Sequence, residues 1–251
     1  MYASLATNPI VGLTIQYSTA ATGFAILRED QPVFTFTIFD PELRATTGVE
    51  GLYSTGVVLV PDLLIRGNLF GRPGIMELGG SWSSAEYTSL SPNSYLNPAI
   101  PELAASYANQ FGQLPVKTGS WCMWSNFYQA LWVDRVDENV NWGVFGEFGI
   151  SDGNPNPVQF VANGGITGQS MIPGRKLDAF GIGYFYLGLS DSFKSLASPI
   201  SPQVDERGVE LFYNYAIKPS MRLTFDLQLV RPSTSALETA IIPGIRFQTI
   251  F

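Results

Sequence analysis

The chain has 251 residues and a net charge of −7, with 45% hydrophobic and 13% aromatic residues but only 14% charged ones. That charged share is well below the roughly 25% of ordinary soluble domains, and the apolar content excludes a disordered chain. The absence of histidine removes Ser-His-Asp and HExxH chemistry, the single Cys122 removes disulfide and CxxC zinc frameworks, and no basic block invites nucleic acid.

The opening MYASLATNPIVG has neither the basic n-region nor the apolar core of a secretory signal, and no window reaches the ~18 apolar residues of a helical span. An apolar, aromatic chain without helical spans points to a membrane barrel, in which alternation dilutes the apolar residues. In chain order, Val11, Leu13, Ile15 and Tyr17 alternate with Thr14, Gln16 and Ser18, which predicts a strand over 11–18. Gly23–Leu27 leaves a strand open. Phe34, Phe36 and Ile38 oppose Thr35 and Thr37 in the next one. Further strands are predicted near 56–65, 74–84, 121–133, 158–167 and 178–189, with aromatic residues on both faces of 121–133 and 178–189, so that the pattern assigns neither face.

Trp142, Val144, Phe148 and Ile150 oppose Glu147 and Ser151, with Phe145 breaking the rule. Val209, Leu211, Tyr213, Tyr215 and Ile217 stand against Glu210, Phe212, Asn214, Ala216 and Lys218. Met221, Leu223, Phe225, Leu227 and Leu229 face away from Arg222, Thr224, Asp226 and Gln228. The last strand sets Ile245, Phe247, Thr249 and Phe251 against Arg246 and Gln248, the latter pair joined by apolar Ile250. The total is about eleven strands, ten or twelve being open, in an all-β antiparallel barrel of outer-membrane type without a notable helix. Strands of about 10 residues at ~3.3 Å each, tilted ~40°, span the ~25 Å apolar band of such a barrel.

Counting back from a last strand that ends in the periplasm, 231–237, 190–207, 151–157, 85–120 and 40–55 become extracellular. The segments 218–220, 168–177, 134–140, 66–73 and 18–32 become periplasmic turns, as long outer loops and short inner turns require. Two places strain the scheme: 151–157 is shorter than 168–177, and 18–32 is too long unless it hides a strand.

Arginine or aspartate facing lipid costs several kcal/mol, so the polar faces line an interior. The candidate lumen-lining, substrate-binding residues are Glu147, Glu210, Asn214, Arg222, Asp226, Gln228, Arg246 and Gln248, whose groups can exchange hydrogen bonds with a sugar shedding its water. The bland alternative is a self-satisfied charge ladder. Among the tryptophans, Trp82, Trp121, Trp132 and Trp142 suit an interfacial girdle, and Trp124 is the candidate for the lumen. Asp152, Asn154 and Asn156 mimic an EF-hand, but Pro157 and Asn163 stand where it needs Gly and Glu. Gly168–Lys176 has the wrong spacing for a P-loop, and Cys122 has no histidine to activate it. No catalytic residue, metal site or cofactor is expected.

Four ordered blocks, NLFGRPGIMELGGSWSSAEYTSL (68–90), NWGVFGEFGISDGNPNP (141–157), IPGRKLDAFGIGYFYLGLSD (172–191) and RGVELFYNYAIKPSMRLTFDLQLVRPS (207–233), resemble the carbohydrate-selective porins of the OprB family. The resemblance covers most of the chain from about residue 55 onward. It implies a 16-stranded outer-membrane porin of a Gram-negative bacterium passing glucose-like sugars by facilitated diffusion, without chemistry or cofactor. It also implies outer-membrane lipid around the barrel, an assembly signal ending in Phe251, and a homotrimer. Residues 1–251 then form a single porin domain lacking N-terminal strands and a signal peptide, the expected product of truncation or a misassigned start. A general diffusion porin, a soluble β-sandwich sugar-binding module and an outer-membrane enzyme are the competing readings. Saturable sugar transport, detergent-free solubility and hydrolase activity would respectively distinguish them.

Overall fold

A computed structural model describes residues 8–16, 18–42, 49–91 and 115–249. Eleven antiparallel strands follow one another as a simple meander, each paired with its sequence neighbours. They are β1 (Ala21–Arg28), β2 (Gln31–Phe39), β3 (Val58–Leu69), β4 (Arg72–Thr88), β5 (Val116–Val133) and β6 (Asn141–Ser151). They continue as β7 (Val158–Gln169), β8 (Ala179–Leu189), β9 (Glu206–Lys218), β10 (Met221–Arg231) and β11 (Ala240–Thr249). Among the described residues β1 and β11 each have one strand neighbour, so the sheet is an open stretch of barrel wall.

The connections sort by length. On one side β1–β2 and β3–β4 turn in two residues, at Glu29–Asp30 and Phe70–Gly71, with positive φ at all four positions. That is the primed hairpin turn whose twist matches the flanking strands. The over-long 18–32 connection therefore does hide a strand, β1, and 66–73 shrinks to Phe70–Gly71. The three longest connections, 40–57, 89–115 and 190–205, lie on the other side, together with 232–239 and the 152–157 turn, both of which are shorter than 170–178.

One expectation is corrected. Among the described residues of 11–18 there is no strand: Pro9–Val11 is a 3-10 turn, capped by Asn8, whose Oδ1 accepts from the Ile10 amide at 3.1 Å. Pro9 presets the turn and Gly12 closes it, while Ile10 is driven into a cluster with Cys122, Val158, Val161 and Leu189. A short helix, α1 (Asp191–Ala197), lies in the β8–β9 loop, outside the strands. Ser190 caps it by accepting from the Phe193 amide, and Lys194 ties it to Asp205 at 2.6 Å. Tyr17, Phe251 and most of loop 85–120 lie outside the described residues.

The register divides the wall into two faces, because paired residues in an antiparallel ladder project to the same side. One face is apolar throughout β9 and β10, where Leu211, Tyr215, Ile217, Phe225, Leu227 and Leu229 are exposed. It carries Trp82 opposite Trp121 at one end of β5 and Trp132 opposite Trp142 at the other. Along a tilted strand those pairs stand roughly 28 Å apart, the height of an apolar band between two aromatic girdles.

The short-turn side is latched by Asp178 in the β7–β8 turn. It accepts from Arg175 Nη2 (2.6 Å) and Nε (2.8 Å), Tyr213 Oη (2.5 Å) and the Ala216 amide (2.9 Å). Arg175 in turn lies over the Tyr215 ring at 3.8 Å. Burial by itself raises the Asp178 pKa, but these hydrogen bonds outweigh it and hold the carboxyl below its ordinary 3.8. A depressed carboxylate stabilises the fold above its ordinary pKa, and that stabilisation is lost as pH falls through the folded value.

Two outcomes follow for unfolding measured in detergent. Asp178→Asn is expected to cost about 1–3 kcal/mol at neutral pH, with the gap to wild type closing below about pH 4. Phe225→Arg, which puts a cation on the apolar face at mid-strand, is expected to cost about 2–4 kcal/mol at any ordinary pH.

Candidate functional site

The opposite face carries the polar residues. Starting from Glu147, the register runs to Asn126 and Glu77 on one side and to Asn163, Phe185 and Gly208 on the other. Glu210 lies two residues beyond Gly208 and pairs with Gln228, which faces the same way as Asp226, Thr224 and Arg222. Asn214 and Arg246 both pair with Thr224, and Gln248 pairs with Arg222. Trp124 shares this face, two residues from Asn126 on β5. Every candidate named from the sequence therefore points to one side of the wall.

They fall into two groups. β8 presents Ala179, Gly181, Gly183, Phe185 and Leu187 to this face and separates them. On the far side stand Glu210, Asn214, Arg222, Asp226, Gln228, Arg246 and Gln248, where Gln228 Nε2 donates to Asp226 Oδ1 at 2.7 Å. Glu210, Asn214 and Thr224 are buried at the sheet surface.

The near side holds a tighter cluster. Glu147, 9% exposed, accepts from Asn163 Nδ2 at 2.5 Å. Glu77 Oε1 accepts from the Trp124 indole at 3.1 Å and Oε2 from Asn126 Nδ2 at 3.2 Å. The Trp124 ring lies flat over Gly79, where a Cβ would come within 2.1 Å of the indole. Glycine is required there by close approach alone.

The N-terminal segment 8–16 folds onto this same face. Asn156 Nδ2 donates to the Ile10 carbonyl at 2.8 Å, and Ser81 donates to Thr14 Oγ1 at 2.8 Å. Asn8 sits over Gly149. With Asn126, Phe145, Glu147 and Asn163 it lines a recess of about 230 Å3. Three buried atoms there find no hydrogen-bond partner among the described residues: the donor Asn8 Nδ2 and the acceptors Asn126 Oδ1 and Glu147 Oε1.

Glu77, Asn126, Asn163 and Asn8 were not among the residues singled out from the sequence. For Glu77 a signal existed, since Met76, Leu78 and Trp82 alternate with Glu77, Ser81 and Ser83. Asn126 sits on a strand with aromatics on both faces, and Asn8 arrives through a fold-back that no local pattern records. The EF-hand mimic is a turn that consumes its own acceptors. Asp152 pairs with Lys117 at 3.1 Å, Asn154 accepts from the Leu90 amide, and its carbonyl is contacted by Lys117 Nζ. Among the described residues no cluster of His, Cys, Asp or Glu could hold a metal ion.

A meander of long strands, apolar and girdled on one side and polar on the other, defines the wall of a transmembrane β-barrel of porin type. Residues 4–251 match the family model of the carbohydrate-selective porin, OprB family, and the chain belongs to that family. It is a family of transport channels rather than enzymes, found in the outer membranes of Gram-negative bacteria. Among solved structures, the high-pH structure of Pseudomonas putida OprB is similar, with a TM-score of 0.74 at 17% identity, over 91% of this chain and 57% of that one. The likeness concerns the fold, and the chain spans little more than half of that relative's length. No curated protein matches the chain by sequence.

The stacking of Trp124 on Gly79 gives a direct check. Gly79→Ala is expected to displace the indole, break its bond to Glu77 and cost about 1–3 kcal/mol, read as a shift in tryptophan fluorescence with lower unfolding stability.

Proposed function

We propose that this chain forms wall of an outer-membrane pore in a Gram-negative bacterium, and that the pore passes small, glucose-like carbohydrates by facilitated diffusion. The carrying observation is the recess at Asn8, Asn126 and Glu147, where one donor and two acceptors lack protein partners. A sugar hydroxyl both donates and accepts, so one hydroxyl can take a bond from Asn8 Nδ2 while giving one to Glu147 Oε1 or Asn126 Oδ1. Trp124, held edge-on to Glu77, offers an apolar flank a few residues away for the C–H face of a ring. Across β8, Glu210, Asn214, Arg222, Asp226, Gln228, Arg246 and Gln248 supply further exchange partners along the path.

Such a surface works by substitution. It replaces part of the sugar's hydration shell at several weak sites, so that entry is favoured and exit is not blocked. Further strands pairing with β1 and β11 complete the wall, because an open sheet edge has no partner for its backbone in lipid. The surplus of carboxylates on this face, Asp62, Glu77, Glu147, Glu210 and Asp226 against Arg66, Arg222 and Arg246, supports a preference for cations over anions among small ions. In this reading the chain has no catalytic role.

The test is sugar block of ion current through the native pore in planar bilayers. Glucose is expected to reduce conductance saturably. Glu147→Gln and Asn126→Ala should each weaken that block about threefold to tenfold, as loss of one hydrogen bond to a charged or amide acceptor does, with open-pore conductance little changed. A strictly linear dependence on glucose would favour a general diffusion pore instead.

A further inference from the structure

The apolar face ends in a pair of like charges. Along β9 the outward series Ile217, Tyr215, Tyr213, Leu211, Val209 is followed by Arg207, and along β10 the series Met221, Leu223, Phe225, Leu227, Leu229 is followed by Arg231. Arg207 and Arg231 are direct cross-strand partners. Two cations placed opposite each other on one face repel, and a sheet tolerates this only where something compensates.

Among the described residues no carboxylate pairs with either of them. The nearest carboxylate in the recess they share, Asp205, is already engaged: it accepts from Tyr186 Oη at 2.6 Å and from the Leu189 amide at 3.0 Å, and pairs with Lys194 at 2.6 Å. No ion pair of Arg207 or Arg231 occurs among the described residues. The recess measures about 570 Å3 and is lined by Tyr186, Val204, Asp205, Arg207, Arg231 and Thr239. It sits one step beyond the apolar band, on the long-loop side of the wall.

We propose that Arg207 and Arg231 form a binding site for the phosphate head group of an anionic membrane lipid in the leaflet on the long-loop side. The site rests on the outward face meeting lipid and is independent of what passes through the pore. A lipid whose acyl chains lie along Leu211, Leu227 and Leu229 carries its phosphate to the height of the two guanidinium groups. Each guanidinium offers a planar fork of donors to phosphate oxygens, and a single phosphate can neutralise the pair. The Thr239 hydroxyl adds a neutral donor at the rim. Anchoring by two charges and a chain is the combination that holds lipid in place, since either alone binds weakly.

Native mass spectrometry of the intact pore, exposed in detergent to lipid A, phosphatidylglycerol or phosphatidylcholine, tests the proposal. The phosphate-rich lipid A is expected to stay bound, phosphatidylglycerol less so and zwitterionic phosphatidylcholine least. The Arg207→Gln/Arg231→Gln double variant should lose about tenfold in retained lipid A, and each single variant a smaller amount. Lys218→Gln, at the opposite end of β9, should change nothing. If the double variant is not recovered folded, the single variants decide by the same readout. Equal lipid retention by wild type and variants would overturn the proposal. So would displacement of lipid A by millimolar inorganic phosphate, which would mark a free-anion site. Sugar block measured on the same variants is expected to be unchanged, so failure here is separable from failure of the transport reading.

Discussion

Each strand of this protein must satisfy two solvents at once, and the period of two along a β-strand is the device that allows it. Alternate side chains meet hydrocarbon or a hydrated interior, so pairing register becomes an energetic matter across the whole wall. A slip of one residue in β10 would send Arg222 and Asp226 into lipid and Leu227 into water, several kcal/mol in the wrong direction. The tight turns at Glu29–Asp30 and Phe70–Gly71 pin the register locally. The β-bulge at Leu131 does so by re-phasing β5: with two residues set against one, Trp132 turns outward to meet Trp142, whereas unbroken alternation would have pointed it inward. The girdle at that end of the wall depends on this one extra residue.

The same constraint shapes the interior. Rows of the register gather Glu77, Asn126, Glu147 and Asn163 on one side of β8 and the Glu210 to Gln248 group on the other, with β8 contributing only small or apolar residues between them. The two sides are not equivalent. Segment 8–16 folds over the first and, through Ile10, Asn156 and Thr14, turns a stretch of flat wall into a recess with depth. The second lies across β8 from that fold-back and carries the arginines, with Glu210, Asn214 and Thr224 buried among them.

How far the sequence declared this depends on whether a residue's partner is local. In β6, β9 and β10 the alternation alone separates the apolar face from the polar one, and Glu147, Glu210, Arg222, Asp226 and Gln228 all lie on the polar face. In β5 and β8 it does not, because aromatic residues occupy both faces. The reason lies across the ladder. Trp124 is set against Gly79, Phe145 against Gly165, Phe185 against Gly208 and Phe212 against Gly181, and each ring lies where its glycine partner's Cβ would be. The glycine that permits an inward ring is thus on a different strand, 20 to 45 positions away in sequence, and no window of alternation can connect the two. The fold-back of 8–16 escaped for the same reason: Val11, Leu13 and Ile15 imitate a strand, while the partners that bury Ile10 are Val158, Val161 and Leu189.

These aromatic–glycine pairs explain how so aromatic a chain can keep a water-lined face. A ring standing upright from the wall would project farther into the interior than any carboxylate beside it. Set over a glycine, it takes up the space a Cβ would fill and covers the bare backbone. Phe145 then lies as an apolar patch among Asn126, Glu147 and Asn163 in the recess, while Phe185 is buried. Replacing Gly79 would displace the indole and break its bond to Glu77, and replacing Gly181 or Gly208 would push the facing ring off the wall. The aromatic content that looks, in the sequence, like an obstacle to a polar face is accommodated by glycines on the neighbouring strands.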